Sequence, residues 1–483
     1  MQQNNQSKKV LLKITDLKQW FPIKKTKLFQ KEQLYVRAND GITLDIYEGE
    51  TVGLVGESGC GKSTFGRTLL QLYPQTEGKT MYYGRTLWEM APDYVEHTVK
   101  NIVSRKKKIR ELEQKTREMR AEYEKMADGA EKFKKQETCE KVRKECNREF
   151  LDLVQIIGGF YAIESTQEAE HMILNQFKIA KELRELKEDH EKKGREKEIG
   201  EKERQLRDAM EKMDTFRKAY SKDDAFQKYE EYRDDGVDLA RLKANEMRVL
   251  RKDMQMIFQD PISSLNPRMT IQEIIGEGLL INKLVKNDTE LRKRCEEMIE
   301  LVGLTKDHLS RYPHEFSGGQ RQRIGIARVL ASNPGLIIAD EPVSMLDVSV
   351  RADIINMLID LSRNQGAAVL FISHDIALTR YISDYIAVMY LGRVVEYGTA
   401  DDVIKNPQHP YTKALISNCA SIDPEEKVQN IAIEGEPPTP LNPGPGCYFE
   451  PRCYCACETC RQSYPEKIVM ENGHWATCSR INK

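Results

Sequence analysis

The sequence predicts an α/β fold built on a mixed, largely parallel sheet. Residues 51–64, TVGLVGESGCGKST, read as a buried strand, a glycine-rich turn and the start of a helix. The runs LIIAD (336–340) and AVLFIS (368–373) are continuously apolar and each is followed by polar residues. That is the pattern of strands covered on both faces. Residues 261–333, ahead of these two runs, read as mostly helical, and strands alternating with helices imply a parallel, two-sided sheet.

In chain order, residues 10–84 alternate in strand style. VLLKITDL leads to Trp20 and Phe21, then to GITLDIYEGE, the strand TVGLVG, a helix from Lys62 to Leu72 and a strand around Met81–Tyr83. From Arg85 to Asp234 the composition changes. Of these 150 residues 70 are charged, 35 of each sign, against 81 of the other 333, so an inserted module is expected there. Apolar residues fall at heptad spacing in it: Ile102, Ile109, Leu112, Met119, Tyr123, Met126 and Phe133, then Ile199, Leu206, Met210, Met213 and Tyr220. Those positions suit an antiparallel helical hairpin or coiled coil. Gly129, Gly158–Gly159 and Gly194 are the expected helix breaks. The insertion's two ends must lie close together, because the pattern on either side joins without a gap. The first pattern resumes at Asp235 and continues to about residue 405. A C-terminal extension, 406–483, is Pro-rich (EGEPPTPLNPGPG) and then Cys-rich. The expected division is therefore 1–84, 85–234, 235–405 and 406–483.

Composition narrows the function classes. The length of 483 residues allows roughly three domain-equivalents. Net charge is −1, so no global basic field argues for nucleic acid. The longest apolar candidate, FLDLVQIIGGFYAI (150–163), carries Asp152 and Gln155 and falls short of the ~18 residues that cross a bilayer. MQQNNQSKK lacks the apolar core of a signal peptide. A soluble, cytoplasmic chain that meets a membrane through partners is expected. Six of eleven cysteines lie in the tail: Cys447, Cys453, Cys455, Cys457, Cys460 and Cys478. In a cytosolic chain such a cluster favours a metal or iron–sulfur centre over disulfides.

The chemistry begins at GESGCGKST, residues Gly56, Glu57, Ser58, Gly59, Cys60, Gly61, Lys62, Ser63 and Thr64. The glycines let backbone N–H groups face phosphate oxygens, and the helix N-terminus adds its positive end. Lys62 supplies charge to the β- and γ-phosphates, and Ser63 offers a hydroxyl to Mg²⁺. Asp340, closing LIIAD, is placed to hold Mg²⁺ through water, and Glu341 follows where it can polarise the attacking water. An Asp-Glu pair alone is more often a solvated turn, and a lone His at a strand end is usually structural. Their company removes those readings.

YPHEFSGGQRQR (312–323) resembles the signature region of ATP-binding-cassette (ABC) ATPases. The resemblance implies a cassette with a helical signature subdomain. Ser317, Gly318, Gly319 and Gln320 would bind the γ-phosphate of ATP held by a second subunit. Gln259 matches the Q-loop glutamine, which touches Mg²⁺ with Ser63 and Asp340. Asp347 in SMLD matches the D-loop at the dimer seam. His374 in FISHD matches the switch histidine. An aromatic about 35–40 residues before the phosphate loop should stack on adenine; Trp20 and Phe21 are available, and Phe21 is preferred.

Further segments are similar to the ATPases of oligopeptide and dipeptide importers: FQDPISSLNPRMT (258–270), DEPVSMLDVSV, MYLGRVVEYG, NPQHPYTKALI and the tail GCYFEPRC. Of the two non-identical ATPases in such importers, the chain resembles the F-type subunit. The resemblance implies a heterodimer with a second related ATPase, two transmembrane permease subunits, an extracellular peptide-binding protein reached indirectly, no nucleic acid, and a place on the inner face of the cell membrane. It covers about 330 residues and assigns residues 85–234 no role. In this group Cys447, Cys453, Cys460 and Cys478 resemble a four-cysteine site for a [4Fe–4S] cluster; four thiolates also suit Zn²⁺. The rival class is a coiled-coil-bearing ABC ATPase of chromosome maintenance or DNA repair. In those the arm follows the Q-loop, whereas here the insertion ends before Gln259.

Overall fold

A computed structural model describes residues 9–24, 33–126, 129–164, 166–188, 195–418, 431, 433 and 435–481. Gly194, one of the expected helix breaks, and residues 1–8 of the N-terminal stretch lie outside the described residues. The chain divides into two compact units: residues 1–84 with 247–483, and residues 85–246.

The first unit is organised by an eight-stranded sheet. Five neighbouring strands are parallel, in the order Met254–Ile257, Leu336–Asp340, Ala368–Ser373, Thr51–Val55 and Tyr385–Tyr390. Thr51–Val55, Leu336–Asp340 and Ala368–Ser373 are buried at every position, so their sequences show no alternation. Arg393–Thr399 then turns back antiparallel, and two short strands from the Cys-rich tail, Trp475–Ala476 and Ile468–Val469, extend that edge. The tail is thus part of this unit.

A second, antiparallel sheet pairs Val10–Pro22 with Tyr35–Tyr47 on one side and Glu77–Tyr82 on the other. Helices Ile271–Ile281, Asp288–Leu301 and Gly318–Ala331 share one core with Ile337, Ala339, Val369 and Phe371 of the main sheet. Each buried Ile or Leu there contributes about 1.5–3 kcal/mol relative to exposure. The helix starts are specified locally. Thr270 and Glu273 form a capping box, Asn287 caps the second helix, and Ser317 with Gln320 form a box on the third.

The second unit is helical. Ile102–Glu124 and Ala130–Ile157 form an antiparallel hairpin, fixed by a ladder of contacts running in opposite directions. Arg105 pairs with Glu149, Cys146 Sγ donates to Ile109 O, Cys139 Sγ donates to Thr116 O, and Lys135 pairs with Glu122. Gln167–Glu188 and Glu196–Ala219 form a second hairpin, with Lys202 on Glu182 and Lys187 on Glu203. Ile102 and Ile109 are buried, but Phe133 is 64% exposed and Met210 is exposed too. The apolar stripe is covered only where several helices converge; two helices alone cannot enclose the far end of the first hairpin. At the convergence Phe160 packs on Phe216, Tyr220 and Phe226.

The compact unit runs to Glu246, beyond the composition break at Asp234, because residues 238–243 bind the helix Asp93–Lys100. Asp238 N donates to Tyr94 Oη, Arg241 donates to Thr98 Oγ1, and Lys243 pairs with Asp93. The insertion's ends meet: Leu87 N donates to Asp235 O at 2.7 Å. No helix among the described residues is long and apolar enough to cross a membrane.

Candidate functional site

The phosphate loop follows Thr51–Val55 and opens the helix Lys62–Leu69. Gly61 has φ 101°, and a Cβ there would sit 2.0 Å from Ala38 O, so only glycine fits. Asn39 Nδ2 donates to Gly61 O at 3.1 Å, fixing the turn from the neighbouring sheet. Cys60 is buried, which pushes its thiol pKa up, whereas Ser58 is exposed. Thr64 O accepts from Thr68 Oγ1 inside the helix. Lys62 is almost fully buried, and its ammonium donates to Gly56 O at 2.7 Å and Glu57 O at 2.9 Å. Those two carbonyls hold the ammonium against the loop's own backbone.

Asp340 sits at the C-terminal end of Leu336–Asp340, with no exposed surface. Its Oδ1 accepts from Ser63 Oγ at 2.8 Å, while Oδ2, also buried, makes no hydrogen bond among the described residues. Burial pushes the carboxyl pKa up, partly offset by the bond from Ser63 and by Arg67. An unsatisfied buried carboxylate oxygen beside a hydroxyl is a donor set suited to Mg²⁺.

Glu341 adopts a left-handed backbone, φ 46°, as the chain leaves the strand, and its N–H donates to Ile372 O. This turns the carboxylate toward two other predicted residues. Oε2 accepts from Gln259 Nε2 at 3.0 Å, and Oε1 lies 3.1 Å from His374 Nδ1. Gln259, Glu341 and His374 thus form one cluster, and Ser63, Asp340 and Lys62 lie along the same strand ends.

Ser317, Gly318, Gly319 and Gln320 start the helix Gly318–Ala331. They make no hydrogen bond or ion pair with residues 56–64 among the described residues. They lie instead by the D-loop, where a Cβ on Gly319 would be 3.4 Å from Met345 O and Leu346 Cδ2. Asp347 is exposed at the start of Val348–Gln365. Trp20 donates through its indole N–H to Asp40 and lies under Arg37, while Phe21 meets Tyr73 edge-on at 5.4 Å.

In the tail, Cys447, Cys453, Cys455, Cys460 and Cys478 line one small cavity. The close thiol pairs are Cys453–Cys455 at 3.6 Å and Cys457–Cys460 at 3.3 Å. No three His, Cys, Asp or Glu residues among those described are gathered as metal ligands. Burial pushes Cys447 up to about 11 and Cys453 up to about 12, so these thiols stay protonated unless a metal displaces the protons.

Two residues absent from the sequence-level site touch the loop: Tyr411 Oη accepts from Glu57 N, and Arg452 pairs with the Glu57 carboxylate. Both lie in segments noted for resemblance, NPQHPYTKALI and GCYFEPRC, but no local pattern joins either to the phosphate loop.

Comparison with known proteins gives two family matches. The ABC transporter family matches residues 39–228 and 225–344, and the oligopeptide/dipeptide transporter C-terminal region matches residues 395–460. The chain is 34% identical to the oligopeptide transport ATP-binding protein OppF of Salmonella typhimurium over 482 residues, 99% of this chain and 98% of that protein. It is 48% identical to a putative peptide import ATP-binding protein of Brucella ovis over 248 residues, 51% of this chain and 78% of that protein. Among solved structures, a dimeric post-hydrolysis state of the ATP-binding cassette MJ0796 bound to ADP and Pi aligns with TM-score 0.45 at 18% identity, over 81% of this chain and 99% of that one.

Proposed function

The chain belongs to the ABC transporter family, in its oligopeptide/dipeptide group, and from that membership we propose how its residues carry out ATP-driven peptide import. It is an ATPase subunit that energises an oligopeptide importer, working with permease subunits and a dimeric partner, with ATP and Mg²⁺ as its substrate pair. The match of residues 395–460 to the peptide-transporter C-terminal region disfavours a chromosome-maintenance or DNA-repair ATPase.

The carrying observation is the Glu341 carboxylate, held between Gln259 and His374 one residue after the Asp340–Ser63 pair. Gly56 to Thr64 wrap the phosphates, and Lys62 exchanges its two carbonyl partners for phosphate oxygens. Phe21 stacks on the adenine. Ser63, Asp340 and Gln259 would hold Mg²⁺, which would neutralise phosphate charge. Glu341 orients and polarises the attacking water, while His374 contacts the γ-phosphate and Gln259 links the site to the permease side. Ser317, Gly318, Gly319 and Gln320 serve the nucleotide of the other subunit, with Asp347 at the seam. That subunit is a related, non-identical ATPase; both lie peripherally on the inner face of the cell membrane beneath two permeases, fed by an extracellular peptide-binding protein. Closure of the two ATPases on ATP drives the permease, and hydrolysis resets them. Cys447, Cys453, Cys460 and Cys478 would hold a [4Fe–4S] cluster or Zn²⁺ once drawn together as ligands; their position around one cavity supports this reading.

The test is ATP-dependent peptide uptake by the reconstituted importer. Lys62→Ala should weaken nucleotide binding and uptake together, because the phosphates lose their charge partner. Uptake undiminished in Lys62→Ala would exclude this chain as the motor.

A further inference from the structure

Glu57 is held at both ends by the C-terminal part of the chain. Its backbone N–H donates to Tyr411 Oη at 2.8 Å. Its carboxylate takes a two-pronged bond from Arg452, Nη1 to Oε2 at 2.6 Å and Nη2 to Oε1 at 3.0 Å. The Arg452 side chain is only 7% exposed. It is oriented by further bonds to Gly435 O at 2.9 Å and Tyr390 Oη at 3.4 Å. The residues flanking this fork are Phe449, buried against Tyr390 and Tyr411, and Cys453 of the tail cavity.

Two consequences follow from elementary electrostatics. Glu57 places a carboxylate inside a loop that must accept a polyanion, and a guanidinium in bidentate contact cancels that charge where solvent screens it poorly. Glu57 O is also one of the two carbonyls that position the Lys62 ammonium, so holding Glu57 holds the lysine.

We propose that the C-terminal segment is a cis-acting promoter of nucleotide binding, and that Arg452 is its positioning residue: by pairing with Glu57 it neutralises a carboxylate that would oppose the triphosphate and holds the part of the loop that seats Lys62. The proposal rests on the reading of residues 56–64 as the ATP site. It makes the tail part of the nucleotide-binding apparatus. Any change that withdraws Arg452 lowers ATP affinity before it affects the chemical step.

The experiment measures binding of a non-hydrolysable ATP analogue to the full chain at two salt concentrations. Arg452→Gln should weaken binding on the order of tenfold, more at low salt, because the exposed carboxylate then repels phosphate. Glu57→Gln placed in the same chain should recover most of the loss, since the opposing charge is gone. Arg452→Lys should fall between, keeping charge but not the fork. It also carries the comparison if Arg452→Gln fails to fold. Wild-type affinity in both Arg452 variants overturns the proposal, and so does a loss that Glu57→Gln leaves unrepaired. Lys62→Ala separates the two claims. If it binds the analogue normally, the reading of the loop fails; if it does not bind while both Arg452 variants bind with wild-type affinity, only the role of Arg452 fails.

Discussion

His374 Nδ1 lies 3.1 Å from Glu341 Oε1, and these two residues are 33 positions apart in the chain. The other oxygen of the same carboxylate accepts from Gln259. Glu341 is therefore aimed by two side chains that approach from separate strand ends. Glu341→Gln keeps the shape and a hydrogen-bonding side chain but removes the negative charge that polarises water. Turnover should fall about 10²–10⁴-fold, while ATP binding persists and the closed dimer accumulates. Single-turnover hydrolysis and gel filtration with ATP check this. Near wild-type turnover would remove Glu341 as the base.

Among the described residues Ser317 to Gln320 make no hydrogen bond or ion pair to the phosphate loop, and Val348, next to Asp347, is 81% exposed. In the proposed function this surface meets the second subunit. Specific ATPase activity should rise with protein concentration, and rise further when the related ATPase is added. Full, concentration-independent activity in a species sized as a monomer would contradict this.

His409 is buried, and burial lowers its pKa to about 4 from 6.5, against the pull of Glu396. Its Nδ1 accepts from Tyr411 N, a bond that protonation destroys, and Glu396 Oε2 accepts from its backbone N–H. The folded pKa lies below the unfolded one, so the unfolded chain takes up more protons between pH 4 and 6.5. Stability is complete above pH 6.5 and declines as pH falls toward 4, by about 3 kcal/mol at most. Urea midpoints measured from pH 7.5 to 4.5 should show this slope for the first unit, and His409→Gln should flatten it.

Anaerobically purified chain should contain iron and sulfide at Cys447, Cys453, Cys460 and Cys478, and absorb broadly in the blue. Zinc alone in the metal analysis would redirect the site to Zn²⁺. Metal-free protein of normal stability would end the claim for either.

The 2.7 Å bond from Leu87 N to Asp235 O brings the ends of the insertion together. Replacing residues 85–234 by a short Gly/Ser linker should leave a folded core that binds ATP, because the apolar cluster around the main sheet draws no residue from that segment. Calorimetry and nucleotide binding test this. A deletion that cannot fold would make the helical unit integral to the cassette.

Much of the cassette is legible in the sequence because local chemistry specifies it. LIIAD, AVLFIS and TVGLV contain no alternation, and such runs must be buried on both faces, which makes them central parallel strands wherever they are placed. The phosphate loop is equally local: its glycines, its lysine and its helix start lie within nine residues. The helical segment shows itself by charge density, but the contacts of Asp238, Arg241 and Lys243 with Asp93, Tyr94 and Thr98 do not. The heptad positions likewise do not say which residues lose their cover: Phe133 stands at one and is exposed, whereas Ile109 stands at another and is buried. The tertiary structure alone joins Ser63 to Asp340 across 277 residues and Glu57 to Arg452 across 395. Such pairs depend on strand order and on the return of the tail to the edge of the sheet. Periodicity and composition report only what a residue's own segment buries, not which distant segment it will meet.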